Sequence, residues 1–215
     1  MRSTKAVATI EVILILAVAV SLMVVGGCGS TQLVNLWKDS SYNDAPLKKV
    51  LVVAMRKDQL RRRMWEDAFV LAIEGHKAGT VVVPSYQLFP EGVPDTLAIQ
   101  AKTTEEGFDG VLVVARVKRD TLMTDVPSFT TYEPVSVYKP RWNTYVTYYD
   151  SVYHPGYTES QAVVSVQTDL LLAQKEGKLV WSATSKDIDP ASPDQFRNSV
   201  ADIVTEQLIK ARIVR

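Results

Sequence analysis

A chain of 215 residues with 24 basic and 24 acidic side chains has no charge excess that would attract nucleic acid. Its single cysteine excludes a disulfide within the chain, and two histidines argue against a zinc site. The apolar fraction of 47% is ordinary, so a hydrophobic core of ordinary size must supply the stability.

A short apolar run near the amino terminus ends at the only cysteine, Cys28. The run covers residues 12–25 with Ser21 as its one interruption, whereas a membrane-spanning helix needs roughly 20 apolar residues. A basic start, a short apolar stretch and small residues at its end are typical of a secretory signal. We therefore expect residues 1–27 to be a signal peptide, with an uncleaved membrane helix as the alternative.

The sequence VGGC at 25–28 resembles the bacterial lipobox. The resemblance implies that diacylglycerol is joined to the thiol of Cys28, that the chain is cut just before this residue, and that the new amino group is acylated. Two or more acyl chains, at roughly 0.8 kcal/mol per buried methylene, anchor a protein stably to a membrane. Gly29 stands where Asp would retain an enterobacterial lipoprotein on the inner membrane. We therefore expect attachment to the outer membrane, with the protein facing the periplasm.

The mature chain begins with a polar segment. Residues 28–46 are rich in turn formers, as expected of a lipidated tether, although 33–37 could form a short edge strand. The first clear element is KKVLVVAM at 48–55, a continuous apolar run that predicts a strand buried on both faces.

A helix is predicted directly after this strand, over 58–79. Asp58 fits its N-cap, and Gly79 fits its carboxyl-terminal stop. Five apolar residues have helical spacing and are predicted to be buried: Leu60, Met64, Ala68, Leu71 and Ala72.

Two further strands alternate with a second helix. Residues 80–89 predict a strand that Pro84 places at a sheet edge, 94–108 predict a shorter helix, and 109–120 predict a third strand. This alternation predicts parallel pairing with right-handed crossovers.

The carboxyl-terminal part changes to a hairpin of residues 161–174 and 178–188, with a glycine in its turn. The predicted fold class is α/β: a mixed sheet of about five strands (βαβαβ then a β-hairpin) with a carboxyl-terminal helix packed on it. We expect residues 47–215 to form a single domain, with a Tyr/Trp-rich insertion at 121–160.

The closing helix is predicted over 192–214. Ser192 fits the N-cap, Pro193 the first helical position, and Gln195 the third residue of a capping box. Its predicted buried stripe consists of Phe196, Val200, Ile203, Val204, Leu208 and Ala211.

An aromatic stretch at 127–160 separates the third strand from the hairpin. Its four prolines exclude a long helix, and an insertion of this length is usually functional or disordered. Its rings either pack on one another and on the sheet, as in a long hairpin arm, or form a contact surface for a partner. In an extended strand Tyr145 and Tyr149 share one face, and Tyr148 lies on the other. The residues predicted for partner binding are Trp142, Tyr145, Tyr148 and Tyr149.

Seven motifs mark strand cores and turns along the chain: KKVLVVAM (48–55), RxxWEDAF (62–69), VPSYQLFP (83–90), GFDGVLVVARV (107–117), HPGY (154–157), VQTDLL (166–171) and GKLVWSATS (177–185). Together they resemble a group of small bacterial lipoproteins of unknown function. The order of elements is also similar to the domain found in penicillin-binding-protein activator lipoproteins, in the curli secretion lipoprotein and in the amino-terminal part of TolB. The resemblance implies a protein that acts by binding other envelope proteins.

Motifs for catalysis are missing from the sequence. It contains no G-x-S-x-G elbow, no G-x-x-x-x-G-K-[ST] phosphate loop and no H-E-x-x-H. His76 and His154 are far apart in sequence, and Ser85 is interpreted as a strand residue. We therefore expect no enzyme activity, no cofactor and no metal.

Three arginines, 61–63, lie near the start of the first predicted helix, where cations oppose the helix dipole. Glu66 and Asp67 follow within one turn and can pair with them. We interpret this cluster as a solvated, paired helix face. Contact with an anionic group is the alternative.

The sequence as a whole predicts a lipid-anchored periplasmic binding or scaffolding protein of the bacterial envelope. Its expected partners are the membrane, through the lipid, and an envelope protein, with no role for nucleic acid. One alternative is a small-ligand carrier or envelope enzyme that uses a pocket beneath the aromatic arm. Another is a subunit of an oligomeric secretion or cell-wall assembly.

Overall fold

The computed structural model describes residues 31–76, 79–115, 117–174 and 177–215, apart from the side chain of Trp142. The expected signal peptide and Cys28 lie outside the described residues. Within these residues, no helix has the length and apolarity needed to cross a membrane. Residues Thr31–Arg215 form one compact unit.

A mixed sheet is the centre of this unit, as the sequence predicted. The strands of the domain are β1 (Gln32–Lys38), β2 (Lys49–Ala54), β3 (Val81–Pro84), β4 (Gly110–Val114), β5 (Lys118–Val126), β6 (Phe129–Lys139), β7 (Thr144–His154), β8 (Tyr157–Leu172) and β9 (Lys178–Ile188). The strand order of the sheet is β1-β9-β8-β4-β2-β3, and β5 pairs with β8. The helices are α1 (Gln59–Gly75), α2 (Ser85–Leu88), α3 (Thr96–Glu105) and α4 (Pro193–Lys210).

Strands β2, β3 and β4 run parallel to one another, which confirms the predicted parallel pairing, whereas β8, β9 and β1 follow in antiparallel pairs. The sheet contains seven strands rather than about five, because β1 adds an edge and the predicted third strand is divided. Its two parts, β4 and β5, both pair with the edge of β8 that lies opposite β9.

Apolar side chains of β2 are buried on both faces of the sheet, as its continuous apolar run predicted. Val50 and Val52 belong to a core shared with α1 and α4, which contribute Trp65 and Phe196 among others. Leu51 belongs to a smaller core on the other face, under α3. The sheet is therefore covered by helices on both sides.

The closing helix has the predicted start and most of the predicted buried stripe, but it ends at Lys210 rather than at residue 214. The Ser192 Oγ accepts a hydrogen bond from the Gln195 amide at 3.0 Å, and Pro193 is the first helical residue. Phe196 and Val200 on the stripe are 2% and 0% exposed. The hairpin before it is confirmed as β8 and β9, and Gly177 in its turn has a φ of 74°.

The buried face of α1 differs from the predicted one. Leu60 and Leu71 are 67% and 69% exposed, whereas Trp65 and Phe69 face the core. Ala72 of the predicted set is buried as expected. A buried polar pair on the same face, described below, shifts the buried stripe by about a third of a turn.

The second predicted strand is also shorter than expected. It ends at Pro84, and Ser85 begins a single helical turn, so the interpretation of Ser85 as a strand residue was wrong. Pro84 cannot donate to the sheet, and the amide of Tyr86 donates to Glu66 instead of to a strand. The edge position of β3 is as predicted.

Residues 31–46 differ from the expected tether because they are packed on the domain. Strand β1 pairs with β9, which confirms the short edge strand considered at 33–37. Tyr42 is 5% exposed, and Lys178 Nζ lies 2.6 Å from the Asp39 carboxylate.

Candidate functional site

A long β-hairpin arm is formed by residues 118–165. Strands β5 and β8 pair from Lys118–Ser165 to Val126–Tyr157, and β6 and β7 pair from Phe129–His154 to Lys139–Thr144. In every one of these pairs the two residue numbers have the same sum, so one register continues through both ladders. The aromatic insertion is therefore a single hairpin rather than a loop.

The arm projects far beyond the rest of the sheet. The last pair that β8 makes with β9 is Val163–Ile188, and outward from it the arm has only two strands among the described residues. Residues 120–139 of one strand, at about 3.3 Å each, give it a length of roughly 65 Å. A hairpin of two strands is at best marginally stable in water without further cover.

The junction between the two ladders is a close approach of the two chains. A Cβ on Gly156 would lie 2.9 Å from the Val126 carbonyl oxygen and 3.0 Å from the Ser128 amide. Only glycine fits there without a backbone shift, which explains the glycine of the HPGY motif. At the tip, the Tyr138 hydroxyl donates to Asn143 Oδ1 at 2.6 Å, and Asn143 is left-handed with a φ of 47°.

One face of the outer arm, the tyrosine face, has no charged side chain. The pairing brings together the alternate residues of β6 and β7 on this face. Side-chain contacts agree, since the rings of Tyr138 and Tyr145 lie 5.1 Å apart and the hydroxyls of Ser136 and Thr147 lie 2.8 Å apart. All its members are exposed: Thr130, Tyr132, Pro134, Ser136, Tyr138, Tyr145, Thr147, Tyr149, Ser151 and Tyr153.

The opposite face of the arm is charged and partly covered by its own side chains. Phe129 stacks on His154 with ring centroids 4.6 Å apart, and Val135 is half-buried. Two acidic residues, Glu133 and Asp150, are directly opposite each other on this face. The two faces of the arm are therefore chemically different.

The structure separates the four residues predicted for partner binding. Tyr145 and Tyr149 lie together on the tyrosine face, and Tyr148 lies on the opposite face. The backbone of Trp142 belongs to the turn at the tip. The prediction missed Tyr132 and Tyr153, which are 71% and 66% exposed. Tyr153 shares the face of Tyr145 and Tyr149 by alternation within β7, whereas Tyr132 reaches this face through a pairing of β6 with β7 that joins residues far apart in sequence.

A groove of about 1010 Å³ lies at the base of the arm. Its floor is apolar and includes Trp65 of α1 and Phe196 of α4. Their rings pack edge to face with centroids 6.2 Å apart. Arg56 is buried there, with its guanidinium 4.9 Å from the Trp65 ring centroid and donating to the carbonyls of Met55 and Ala115. The position of this groove is close to that of the pocket that the sequence suggested as an alternative, which was placed beneath the aromatic arm.

Arg62 and Glu66 form a buried ion pair, so the interpretation of the arginine cluster as a solvated face was wrong for Arg62, whereas its two neighbours in the cluster are exposed as predicted. Arg62 Nε lies 3.0 Å from Glu66 Oε1, and the two side chains are 2% and 0% exposed. Arg62 also donates to Ser85 Oγ and to the carbonyls of Phe89 and Gly92. The pair was correctly predicted, but its burial was not.

The same carboxylate joins three elements of the domain. Glu66 accepts from the amides of Ala54 and Tyr86 and from the hydroxyl of Ser85 at 2.7 Å. Ser85 is 0% exposed, so its hydroxyl cannot reach a substrate. The network of Arg62, Glu66 and Ser85 therefore connects α1, β2 and α2. Because the network is buried, a substrate cannot reach it.

Asp39 and Tyr86 are among the groups whose pKa values are shifted. The ammonium of Lys178 and the donors of Ser41 lower the pKa of Asp39 to about 2. Burial raises the pKa of Tyr86, and donation of its hydroxyl to Asp67 raises it further. Neither group lies in the groove or on the tyrosine face. No group of three His, Cys, Asp or Glu side chains suited to a metal occurs among the described residues.

Comparisons with known proteins give distant structural likenesses. No protein-family model and no curated protein matches the chain. A point variant of the PelC dodecamer from Paraburkholderia phytofirmans is 14% identical with a TM-score of 0.42, over 84% of this chain and 99% of that one. A second PelC dodecamer from the same organism is 14% identical with a TM-score of 0.43, over 84% and 98%. A PDZ domain protein from Parabacteroides distasonis is 12% identical with a TM-score of 0.33, over 83% of this chain and 36% of that one.

Proposed function

We propose that this chain is a lipid-anchored binding or scaffolding protein of the bacterial envelope, and that its arm contacts a different envelope protein. The lipid is attached at Cys28, and the domain faces the periplasm from the outer membrane. The function is non-catalytic and uses no cofactor or metal. The observation that supports partner binding is the uncharged, exposed tyrosine face on a two-stranded arm.

The tyrosine face has the composition of a protein interface. Tyrosine is enriched at interfaces because it offers a large apolar surface at low entropic cost, and charged residues are depleted at interface cores. Four tyrosines, at 132, 145, 149 and 153, are 66–71% exposed. At about 150 Å² each they present about 600 Å², a large part of the roughly 800 Å² that each partner buries in a standard interface.

The unpaired strand edges of the arm favour the same function. Strand β7, from Thr144 to His154, has no proline or lysine, and Asp150 is its only acidic residue. Such residues are the usual protection of an exposed edge, and an unprotected edge pairs readily with another strand. A partner that covers the tyrosine face and pairs with this edge would supply the cover that the hairpin lacks alone.

A face-specific pair of variants tests this proposal. In the first, Tyr132, Tyr145, Tyr149 and Tyr153 are replaced by Ser; in the matched control, Val135, Val137, Val146 and Tyr148 on the opposite face are replaced by Ser. Each tagged lipoprotein is captured from crosslinked membranes of the bacterium that produces it. We expect the first variant to lose its crosslinked partner and the control to retain it.

Three outcomes would contradict the proposal. The first is that the tyrosine-face variant unfolds, since its rings would then be core. The second is equal crosslinking by both variants and the unchanged chain, which would place recognition elsewhere. The third is a crosslinked species that contains only this chain, which would show an oligomer instead of a different partner.

A further inference from the structure

The groove at the base of the arm lies where the connections of neighbouring strands diverge. From β2 the chain crosses to β3 on one side, and from β4 it enters the arm and returns as β8 on the other. In open α/β sheets, a crevice forms at the carboxyl ends of strands that diverge in this way, and ligands bind there. Lys57 follows β2 and Val117 follows β4, and both line the groove.

Cations line this groove without carboxylate partners of their own. Lys57, Arg61 and Arg119 are exposed and form no ion pair with any carboxylate in the part of the chain that the structure describes. Of the three cations near the start of α1, only Arg61 lines this cavity, since Arg62 is paired internally and Arg63 lies 5.3 Å from the Tyr86 ring centroid.

The carboxylates that line the groove already have partners. Asp58 accepts from the Arg61 amide at 2.8 Å as the N-cap of α1, and Asp189 accepts from the Ala162 amide at 2.6 Å. Asp194 pairs with Arg197 at 2.8 Å. Among the described residues, the lining contains five basic and three acidic side chains, which gives a positive excess of two. An anion would therefore find cations that are free to contact it.

Besides its cations, the groove has an apolar floor. Met55, Met64, Trp65, Val164 and Phe196 contribute to it. The volume of about 1010 Å³ lies at the upper end of the roughly 300–1,000 Å³ that is usual for small-molecule sites. A bare inorganic anion would fill little of this volume and would leave the apolar floor in water.

We infer that this groove binds a small amphiphilic anion, in which an acidic head group is attached to an apolar or aromatic body. The head group contacts Lys57, Arg61 and Arg119 at the rim, and the body lies over Trp65 and Phe196. This site is separate from the tyrosine face and does not depend on a partner of the arm.

Binding of phenyl phosphate tests the site, with its two halves as controls. The full-length chain is kept in an uncharged detergent, and equilibrium dialysis measures phenyl phosphate, inorganic phosphate and phenol in turn. We expect phenyl phosphate to bind with a dissociation constant of about 1 mM or lower, and each half to bind about tenfold more weakly. No measurable binding of phenyl phosphate, or equal binding of either half, would overturn the inference.

Charge-reversal variants locate the binding. Arg61→Glu on α1 and Arg119→Glu on β5 each reverse the charge of a side chain that lines the groove. The control, Arg63→Glu, makes the same change in charge on α1 but outside the groove. We expect each groove variant to weaken phenyl phosphate binding about tenfold, and the control to change it by less than about twofold. Equal loss in the control and the groove variants would show non-specific attraction and would overturn the inference.

These experiments distinguish failure of the inference about the groove from failure of the proposal that the arm binds a partner. The variant with Ser on the tyrosine face should bind phenyl phosphate like the unchanged chain. The groove variants should in turn still crosslink to the arm's partner.

Discussion

Replacing Arg62 by Met should destabilise the domain by about 3–5 kcal/mol, because the change leaves a fully buried carboxylate without its cation. Met keeps much of the length and the apolar stem of the side chain, so the loss is chiefly that of the guanidinium. Glu66 would retain the amides of Ala54 and Tyr86 and the hydroxyl of Ser85. These neutral donors do not offset the charge.

The double variant Arg62→Met with Glu66→Gln should recover part of this loss. The largest cost in Arg62→Met is the burial of an unpaired ion, and removal of the charge on residue 66 ends that cost. The side-chain oxygen of the introduced Gln still accepts from the Ala54 amide. We expect the double variant to be about 1–3 kcal/mol more stable than Arg62→Met alone. The carbonyls of Phe89 and Gly92 lose their donor in both variants, so recovery should be incomplete.

Urea unfolding of residues 31–215, followed by circular dichroism, measures these differences. Arg63→Met is the matched control, since this residue is the neighbour on the same helix but exposed, and it should cost less than about 1 kcal/mol. An Arg62→Met variant with the urea midpoint of the unchanged domain would refute the role of the buried pair. A double variant less stable than Arg62→Met would refute the argument about the unpaired charge.

Three further predictions concern separate parts of the chain. Phe196→Ala should cost roughly 3–5 kcal/mol, because the ring is 2% exposed against Trp65; unchanged thermal unfolding would show that α4 is not docked as described. Cys28→Ser should accumulate as uncleaved precursor without fatty-acid labelling, and normal labelling would end the lipoprotein proposal. Asp39→Asn should lower the thermal midpoint slightly at neutral pH. Since the folded pKa of Asp39 is lowered to about 2, this difference should disappear as pH falls from about 4 to about 2, and a constant gap would contradict the Lys178 contact.

The strand and helix order of the domain follows from local sequence patterns. The apolar run of β2 and the capping residues of α4 each specify their element through neighbours a few residues away, and both are found as predicted. The face of α1 was not predictable in this way, because Leu60 and Leu71 have helical spacing but point to water. A buried Arg62 with four acceptors breaks the rule that charged residues mark the solvent side.

The candidate site was even less predictable from local sequence patterns than the buried face of α1. Alternation within β7 places Tyr145 and Tyr149 on one face, and this part was predicted from the sequence alone. The addition of Tyr132 requires its pairing with Ser151, which joins residues 19 positions apart and depends on the register of the whole arm. The groove brings Arg61 and Arg119 to one cavity from different elements, and no spacing in the sequence reveals that proximity.

A photoreactive residue on the tyrosine face gives the most direct test of the central proposal. A photo-crosslinking amino acid replaces Tyr149 on this face or, as the control outside the arm, Leu71 of α1; these side chains are 71% and 69% exposed. After irradiation of living cells, we predict an adduct with a second envelope protein from position 149 and none from position 71. Absence of an adduct from position 149, or equal adducts from both positions, would contradict the proposal that the arm binds the partner.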